Sequence, residues 1–364
     1  MERKSKSEKL IFNFYLILMI PGFKIGLRDW KEKLSEAKSR LGGTYPPFVE
    51  VYFRVDKIKE YETMFNYLHT HQIKFGLHFW GVLKSGPPAG EAGIEPNLLS
   101  RHKWIQNQSY FLMREAIQTA LKEKAVFVVF HPGALCERMI DLDKSEFKMA
   151  KLKETNLEEG RENLLKNAKK LQVFAGVSEV EPLQLIFETL PTNSPIRWLA
   201  PRGPDNLLIA KQCPIKFYKD LAREGFNIAN DFGHTASSKT FSVGAGLSTR
   251  PISSQSEDLG RITDPPLQQN IRQNVKNHLF SWTQSLAPAT RLIHCNLILP
   301  PFNGVDTHSG LLPEDFAKNP LPDKKELIEL LKIFKERDDV WIINEPDEKH
   351  VENYMELIMI LQLL

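Results

Sequence analysis

The chain is short of the features that would place it quickly. Its 364 residues hold only three cysteines, Cys136, Cys213 and Cys295, far apart and in no CxxC pair. That spacing offers neither a disulfide framework nor a thiolate metal site, and it suits a reducing compartment. Neither sign of charge is in excess: 48 Lys and Arg face 45 Asp and Glu, a formal net charge of +3. A dedicated nucleic-acid binder usually carries a strong basic excess or a concentrated basic patch, so the total names no dominant partner. No GxxxxGK phosphate loop is present, and Gly244, Ala245 and Gly246 read as a flexible loop.

Long apolar runs are missing too. Residues 10–20 come closest; they follow Arg3, Lys4, Lys6 and Lys9, contain Asn13, and end at Pro21 and Gly22. This run is shorter than the roughly 20 residues a membrane span takes, and no small-x-small cleavage site follows it. Residues 1–22 therefore read as a basic, apolar extension, and no stable membrane insertion is expected. The expected compartment is the cytoplasm, with an exported or tethered form as the alternative reading of that extension.

Past the extension, short β-rich runs alternate with longer helical patterns. Strands are expected at 23–27, 48–53, 74–79, 126–130, 183–187, 227–230, 291–297 and 340–343. Helical stretches such as YETMFNYLHTHQ, RENLLKNAKKLQVF and KKELIELLKIFKER lie between them, and HVENYMELIMILQLL follows the last. Strict alternation argues for a parallel sheet of βαβ units, and eight repeats point to a closed barrel. The expected fold is a single α/β domain over 23–364, a (β/α)₈ TIM barrel. Long loops at 191–211, 235–268 and 300–323 follow the fifth, sixth and seventh strands. All would lie on the C-terminal face, where sites of this fold are built.

The chemistry sits at the strand ends. Six consecutive strands finish on titratable residues: His78, His131, Glu188, Asp231 with His234, His294, and Glu345, while Asp306 and His308 follow the seventh in GVDTHSG. A charged or imidazole group directly after an apolar strand is costly to bury unless something satisfies it. Glu188, Asp231 and Glu345 converging on one funnel would repel strongly without a cation. Imidazole and carboxylate donors together suit zinc, manganese or iron. Trp80, beside the first of these histidines, and Arg197, Arg202 and Arg250 in the mouth-side loops are candidate substrate contacts. Glu50 and Arg54 either line the funnel or pair with each other. His71, His102 and His278 read as surface residues of helical segments.

These motifs resemble the xylose-isomerase-like TIM-barrel superfamily, and within it most closely the endonuclease IV (AP endonuclease family 2) branch. The resemblance runs from about Phe23 to the C-terminus. It implies a Glu, Asp, His, Glu set for one divalent metal, which here would be Glu188, Asp231, His294 and Glu345. The endonuclease IV branch implies three zinc ions. His78, His131 and Glu188 would hold the first, with Glu188 bridging to the second; Asp231, His294 and Glu345 would complete the second. His234, Asp306 and His308 would hold the third. The chain departs from that branch beside the ligands, with Gly81 in place of a Tyr, Thr307 in place of a basic residue, and Thr189 in place of an Asn.

Two activities follow from the resemblance. One is a multinuclear zinc phosphoesterase cleaving phosphodiesters by metal-bound hydroxide, abasic sites in damaged DNA among its substrates, with Glu188 and Glu345 as catalytic residues. The other is a sugar or sugar-phosphate isomerase or epimerase. It would use a single divalent ion, such as Mn²⁺, and the same two glutamates as an acid/base pair on a small sugar.

Overall fold

The computed structural model describes residues 18–83, 93–141, 146–150, 152–176, 183–191, 193–195, 209–239, 265–300, 302 and 307–364. Eight parallel strands close into a barrel in which each is bonded to its neighbours in chain order and β1 to β8. They are β1 Ile20–Ile25, β2 Phe48–Arg54, β3 Lys74–Trp80, β4 Phe127–Phe130, β5 Gln184–Glu188, β6 Asn227–Asp231, β7 Thr290–His294 and β8 Trp341–Asn344. Among the described residues, eight helices wrap the barrel. They are α1 Trp30–Arg40, α2 Glu62–Thr70, α3 Lys103–Lys122, α4 Leu157–Ala175, α5 Ile215–Arg223, α6 Pro265–Leu286, α7 Lys324–Lys332 and α8 His350–Leu361. The expected TIM barrel is the observed fold. No helix among the described residues is long and apolar enough to cross a membrane.

The helices lie where apolar spacing and caps put them. Met113, Ala116, Ile117 and Ala120 recur at the 3.6-residue period and bury one face of α3 against the barrel. Asn156 accepts from the Glu159 amide to start α4, and Asp323 with Glu326 forms a reciprocal capping box at α7.

Inside the barrel, large side chains form a floor. The rings of Phe48, Phe127 and Trp341 stand 5.2–6.0 Å apart, and Val129, Ile186, Ala229, Leu292 and Ile343 pack with them. The floor dictates two glycines: a methyl group on Gly22 would strike Phe48, and one on Gly76 would penetrate the Phe127 ring.

The structure corrects several expectations. β1 starts at Ile20, three residues early, because the Ile20 amide already donates to Val340 O. β7 stops at His294 instead of residue 297, since Leu297 and Ile298 turn to pair antiparallel with Ser309 and Leu321. The expected loop at 235–268 is trimmed at both ends. A short helix, Phe232–Ser237, takes its start and α6 begins at Pro265, while 240–264 lie outside the described residues. Elaboration also follows β3 and β4, where Gly93–Ile94, Arg138–Asp141 and Glu146–Met149 form an antiparallel side sheet. A buried Glu95–Arg138 ion pair and Asn97, which donates to Ala134 O and Glu137, fix that sheet. Strands of two to four residues are too short to show a period in sequence.

Gly76→Ala tests the floor. The added methyl should destabilise the protein by about 1–3 kcal/mol through overpacking, read by denaturant unfolding, and Phe127→Leu should recover part of the loss.

Candidate metal centre

Side chains alternate along a strand, so each strand sends every second residue inward. β2 points in Phe48, Glu50 and Tyr52; β3 points in Gly76, His78 and Trp80. β5 runs from Ile186 to Glu188, β6 from Ala229 to Asp231, β7 from Leu292 to His294. β8 carries Trp341 and Ile343 and then reaches Glu345, while β4 carries Phe127 and Val129 and then reaches His131. β1 adds Gly22 and Lys24. Each strand thus passes from an apolar floor to one titratable group, and the eight groups meet in one layer. Glu50, Glu188, Asp231 and His294 are wholly buried there.

Three atoms carry the strongest signal. His78 Nε2 lies 3.2 Å from His131 Nε2 and 3.3 Å from Glu188 Oε2, and His131 Nε2 lies 3.2 Å from the same oxygen. Donors at about 2.0–2.2 Å from a tetrahedral ion stand roughly 3.3–3.5 Å from one another, which this triangle matches. On the other side of the carboxylate, Glu188 Oε1 is 3.3 Å from His294 Nδ1. That nitrogen is 3.7 Å from Glu345 Oε2 and 3.9 Å from Asp231 Oδ2. No directed hydrogen bond reaches either Glu188 oxygen or His294 Nδ1, although all three are buried. Buried polar atoms are rarely left so, and these are aimed at common points. The residues fit divalent cations. His78, His131 and Glu188 make one group with metal-ligand spacing; Glu188, Asp231, His294 and Glu345 make a second.

The outer contacts orient these donors. Glu50 Oε1 is 2.6 Å from His78 Nδ1, and its Oε2 is 2.9 Å from His294 Nε2. Burial disfavours charge on Glu50, but His294, Lys24 and His78 outweigh it and hold the carboxyl well below its usual range. Glu50 therefore has no proton to give, and each imidazole must donate to it. This fixes both tautomers and leaves His78 Nε2 and His294 Nδ1 facing Glu188. Asn296 donates to Asp231 Oδ2 (2.7 Å) and accepts from the Glu345 amide (3.0 Å), while the His234 amide donates to Asp231 Oδ1 (2.8 Å). Thr189 ties β5 to β6: its hydroxyl accepts from the Asp231 amide (3.0 Å), and its carbonyl accepts from His234 Nδ1 (2.8 Å).

Electrostatics splits the two shared histidines. Burial, helped by the neighbouring Lys24 ammonium, pushes His78 down to about 3 despite Glu188 and Glu50. Burial also opposes charge on His294, but Glu50 and Glu188 overcome it and lift the imidazole to about 9. Lys24 contributes to the difference, with Nζ 2.8 Å from His78 Nδ1; burial lowers Lys24 itself, against the pull of Glu50, Glu188 and Asp231.

The remaining sequence candidates fall into place as follows. His234 faces His308 edge-on, ring centroids 5.6 Å apart, and His308 Nδ1 lies 3.3 Å from Glu345 O. Asp306, Arg197, Arg202 and Arg250 lie outside the described residues. Trp80 is at the lip, stacked on Tyr52 at 5.5 Å and edge-on to His131 at 4.9 Å, whereas Phe79 points out into the core against Phe130. Glu50 lines the funnel, and Arg54 pairs with Asp56 instead. His278 is not a plain surface residue: it is half-buried, with Nε2 2.9 Å from Ser238 Oγ, and burial and Lys239 push it down to about 4. Sequence reasoning missed Lys24, Asn296 and the role of Thr189. Lys24 left one signal, a lysine alternating with apolar residues in GFKIG.

No family model matches the chain, and no curated protein matches it. Solved structures do match in fold. A D-tagatose 3-epimerase-like protein aligns at 14% identity and TM-score 0.54, covering 95% of this chain and 97% of its own. The 3-keto-D-glucoside 4-epimerase of E. coli aligns at 10% and 0.50, covering 95% and 100%. Endonuclease IV from Thermus thermophilus aligns at 14% and 0.47, covering 94% and 98%. The chain thus shares the TIM-barrel fold of the two epimerase structures.

Two outcomes follow from the geometry. Glu50→Gln keeps the shape but turns one acceptor oxygen into a donor, so one imidazole loses its anchor. Zinc affinity should fall by about 10–100-fold, read by competition with a chromogenic chelator, with little change in fold by circular dichroism. The second concerns pH. Below about 9 His294 holds a proton that a bound ion must displace. Affinity should therefore climb with pH by up to roughly tenfold per unit and level off above that value, with proton release on binding. Calorimetry in buffers of different ionisation heat reads both, and a flat profile from pH 6 to pH 9 would contradict the assignment.

Proposed function

We propose that the chain is a metal-dependent phosphoesterase whose centre holds at least two divalent ions, zinc from its imidazole and carboxylate donors. The observation that carries this reading is Glu188. Its two oxygens face different groups, Oε2 toward His78 and His131, Oε1 toward His294 and His234. A one-ion centre has no use for the His78 and His131 pair, whereas a bridging carboxylate needs donors on both sides. Bound divalent ions would acidify water and offset the charge of a phosphodiester.

The chain's own residues supply the rest. Glu188 fixes the spacing between the two groups. Asn296 and the His234 amide hold Asp231 in one orientation, and the Glu345 amide is held by the same Asn296. Glu345 lies one residue past β8, with one oxygen against Lys24 and the other toward His294. Trp80 on Tyr52 offers an aromatic face beside His131 for a sugar or base. His234 and His308, with Asp306, are the proposed donors for a third ion. Abasic sites in DNA are one substrate this reading allows, and Arg197, Arg202 and Arg250 are its proposed phosphate contacts.

A second reading has its own support. Glu188, Asp231, His294 and Glu345 alone form a compact four-donor group. Such a group suffices for one divalent ion, Mn²⁺ included, in a sugar isomerase or epimerase, with Glu188 and Glu345 moving the proton. The D-tagatose 3-epimerase-like and 3-keto-D-glucoside 4-epimerase structures share this barrel.

Metal content by mass spectrometry, beside cleavage of an abasic duplex and of a small phosphodiester with and without chelator, separates the two. The phosphoesterase reading expects two or three ions per chain and chelator-sensitive cleavage. It expects Glu188→Gln to lose ions from both groups and to cut cleavage roughly a hundredfold or more. One ion per chain, with solvent deuterium entering a ketose and no cleavage, would replace it with the isomerase.

A further inference from the structure

A third group of donors with metal-ligand spacing lies in the same layer: Glu50, His78, His294 and Glu345. It differs from the other two in what already fills it. Lys24 reaches in from β1 and contacts Glu345 Oε1, with its Nζ 2.8 Å from His78 Nδ1 and 3.8 Å from Glu50 Oε1. The Lys24 amine therefore already takes the space that an ion bound between Glu50 and Glu345 would need. The nitrogens in this corner are also spent, since His78 Nδ1 and His294 Nε2 are the atoms that donate to Glu50. The nitrogens turned toward Glu188, His78 Nε2 and His294 Nδ1, are the ones left for metal.

We infer that the Lys24 side chain itself fills the Glu50–His78–Glu345 corner, so that divalent ions enter only the groups that meet at Glu188. This extends the metal reading proposed above and rests on it. A divalent ion at that corner would have to take the place of Lys24 Nζ and share the same carboxylate oxygens, so the two exclude each other. Lys24 acts through Glu345 and His78 and is a positioning residue. It holds one Glu345 oxygen while the other, Oε2, faces His294.

Zinc-edge anomalous diffraction on zinc-soaked crystals tests this directly, because it locates each ion instead of counting ions. The wild-type chain should show density beside Glu188 and none in the Lys24 corner. Lys24→Ala, which removes the amine and opens space, should add density between Glu50 and Glu345, whereas Lys24→Arg, which keeps the corner filled, should not. Should Lys24→Ala fail to fold, Lys24→Ser offers the same opening with a small polar group, and the wild-type crystal still decides. A wild-type peak in the corner with the lysine displaced would overturn the inference, as would a folded Lys24→Ala or Lys24→Ser chain with no new peak. A wild-type crystal with no peak anywhere would instead overturn the metal reading itself.

Discussion

Glu50, Glu188, Asp231 and Glu345 are gathered into one buried layer at the top of the barrel, and like charges this close cannot all stay ionised unless cations lie among them. Much of the surrounding structure answers that constraint. Lys24 and the imidazoles supply positive or proton-donating partners, and the Glu50 carboxylate spans His78 and His294 from below. Asn296 and the start of the Phe232–Ser237 helix neutralise both Asp231 oxygens with hydrogen bonds. What these contacts leave to ring nitrogens alone is Glu188, buried, with His78 and His131 at one oxygen and His294 and His234 at the other. Packing and hydrogen bonding satisfy the periphery and concentrate the deficit at the centre. A cation is the species that relieves a deficit of that kind.

The sequence carried the barrel and most of this layer openly, because strand tips are visible: an apolar run that ends in His, Asp or Glu needs a reason. Six strands follow that rule. The first two do not, since the strands of a closed barrel tilt and stagger, so one level of the barrel falls at different points along different strands. β2 runs on to Arg54, four residues beyond Glu50, and β1 encloses Lys24 between Phe23 and Ile25. At those positions a functional charge looks like an interruption inside a strand. Asn296 and Thr189 were hidden for another reason. Their work is done by single hydrogen bonds to neighbours remote in sequence, which no spacing reveals. The side sheet after β3 and β4 escaped because its strands are shorter than one detectable repeat.

Three residues beside the donors have structural occupations of their own. Thr307 donates to Leu297 O at 3.1 Å and accepts from the Leu299 amide at 3.0 Å, latching the return of the chain after β7. Thr189 joins the ends of β5 and β6 through its hydroxyl and its carbonyl. Gly81 sits close to Phe79 and Leu112, where a Cβ would stand 3.1 Å and 3.3 Å from their side chains. Each of these residues packs or bonds beside a donor, and the strands hold the donors themselves in place.

One lysine makes the layer asymmetric. His78 and His294 are stacked near-parallel at 5.6 Å, and both are anchored to Glu50 and turned toward Glu188. By these contacts alone they would behave alike. Lys24 lies against His78 and not against His294, so burial prevails at the first and the carboxylates prevail at the second. The His78 side therefore offers a neutral nitrogen beside His131, while the His294 side holds a proton among three carboxylates. A barrel with near-equivalent strands can thus present two chemically different halves at a shared carboxylate. Burial leads at His78, and the Lys24 side chain, turned inward from β1 by strand alternation, adds to it there.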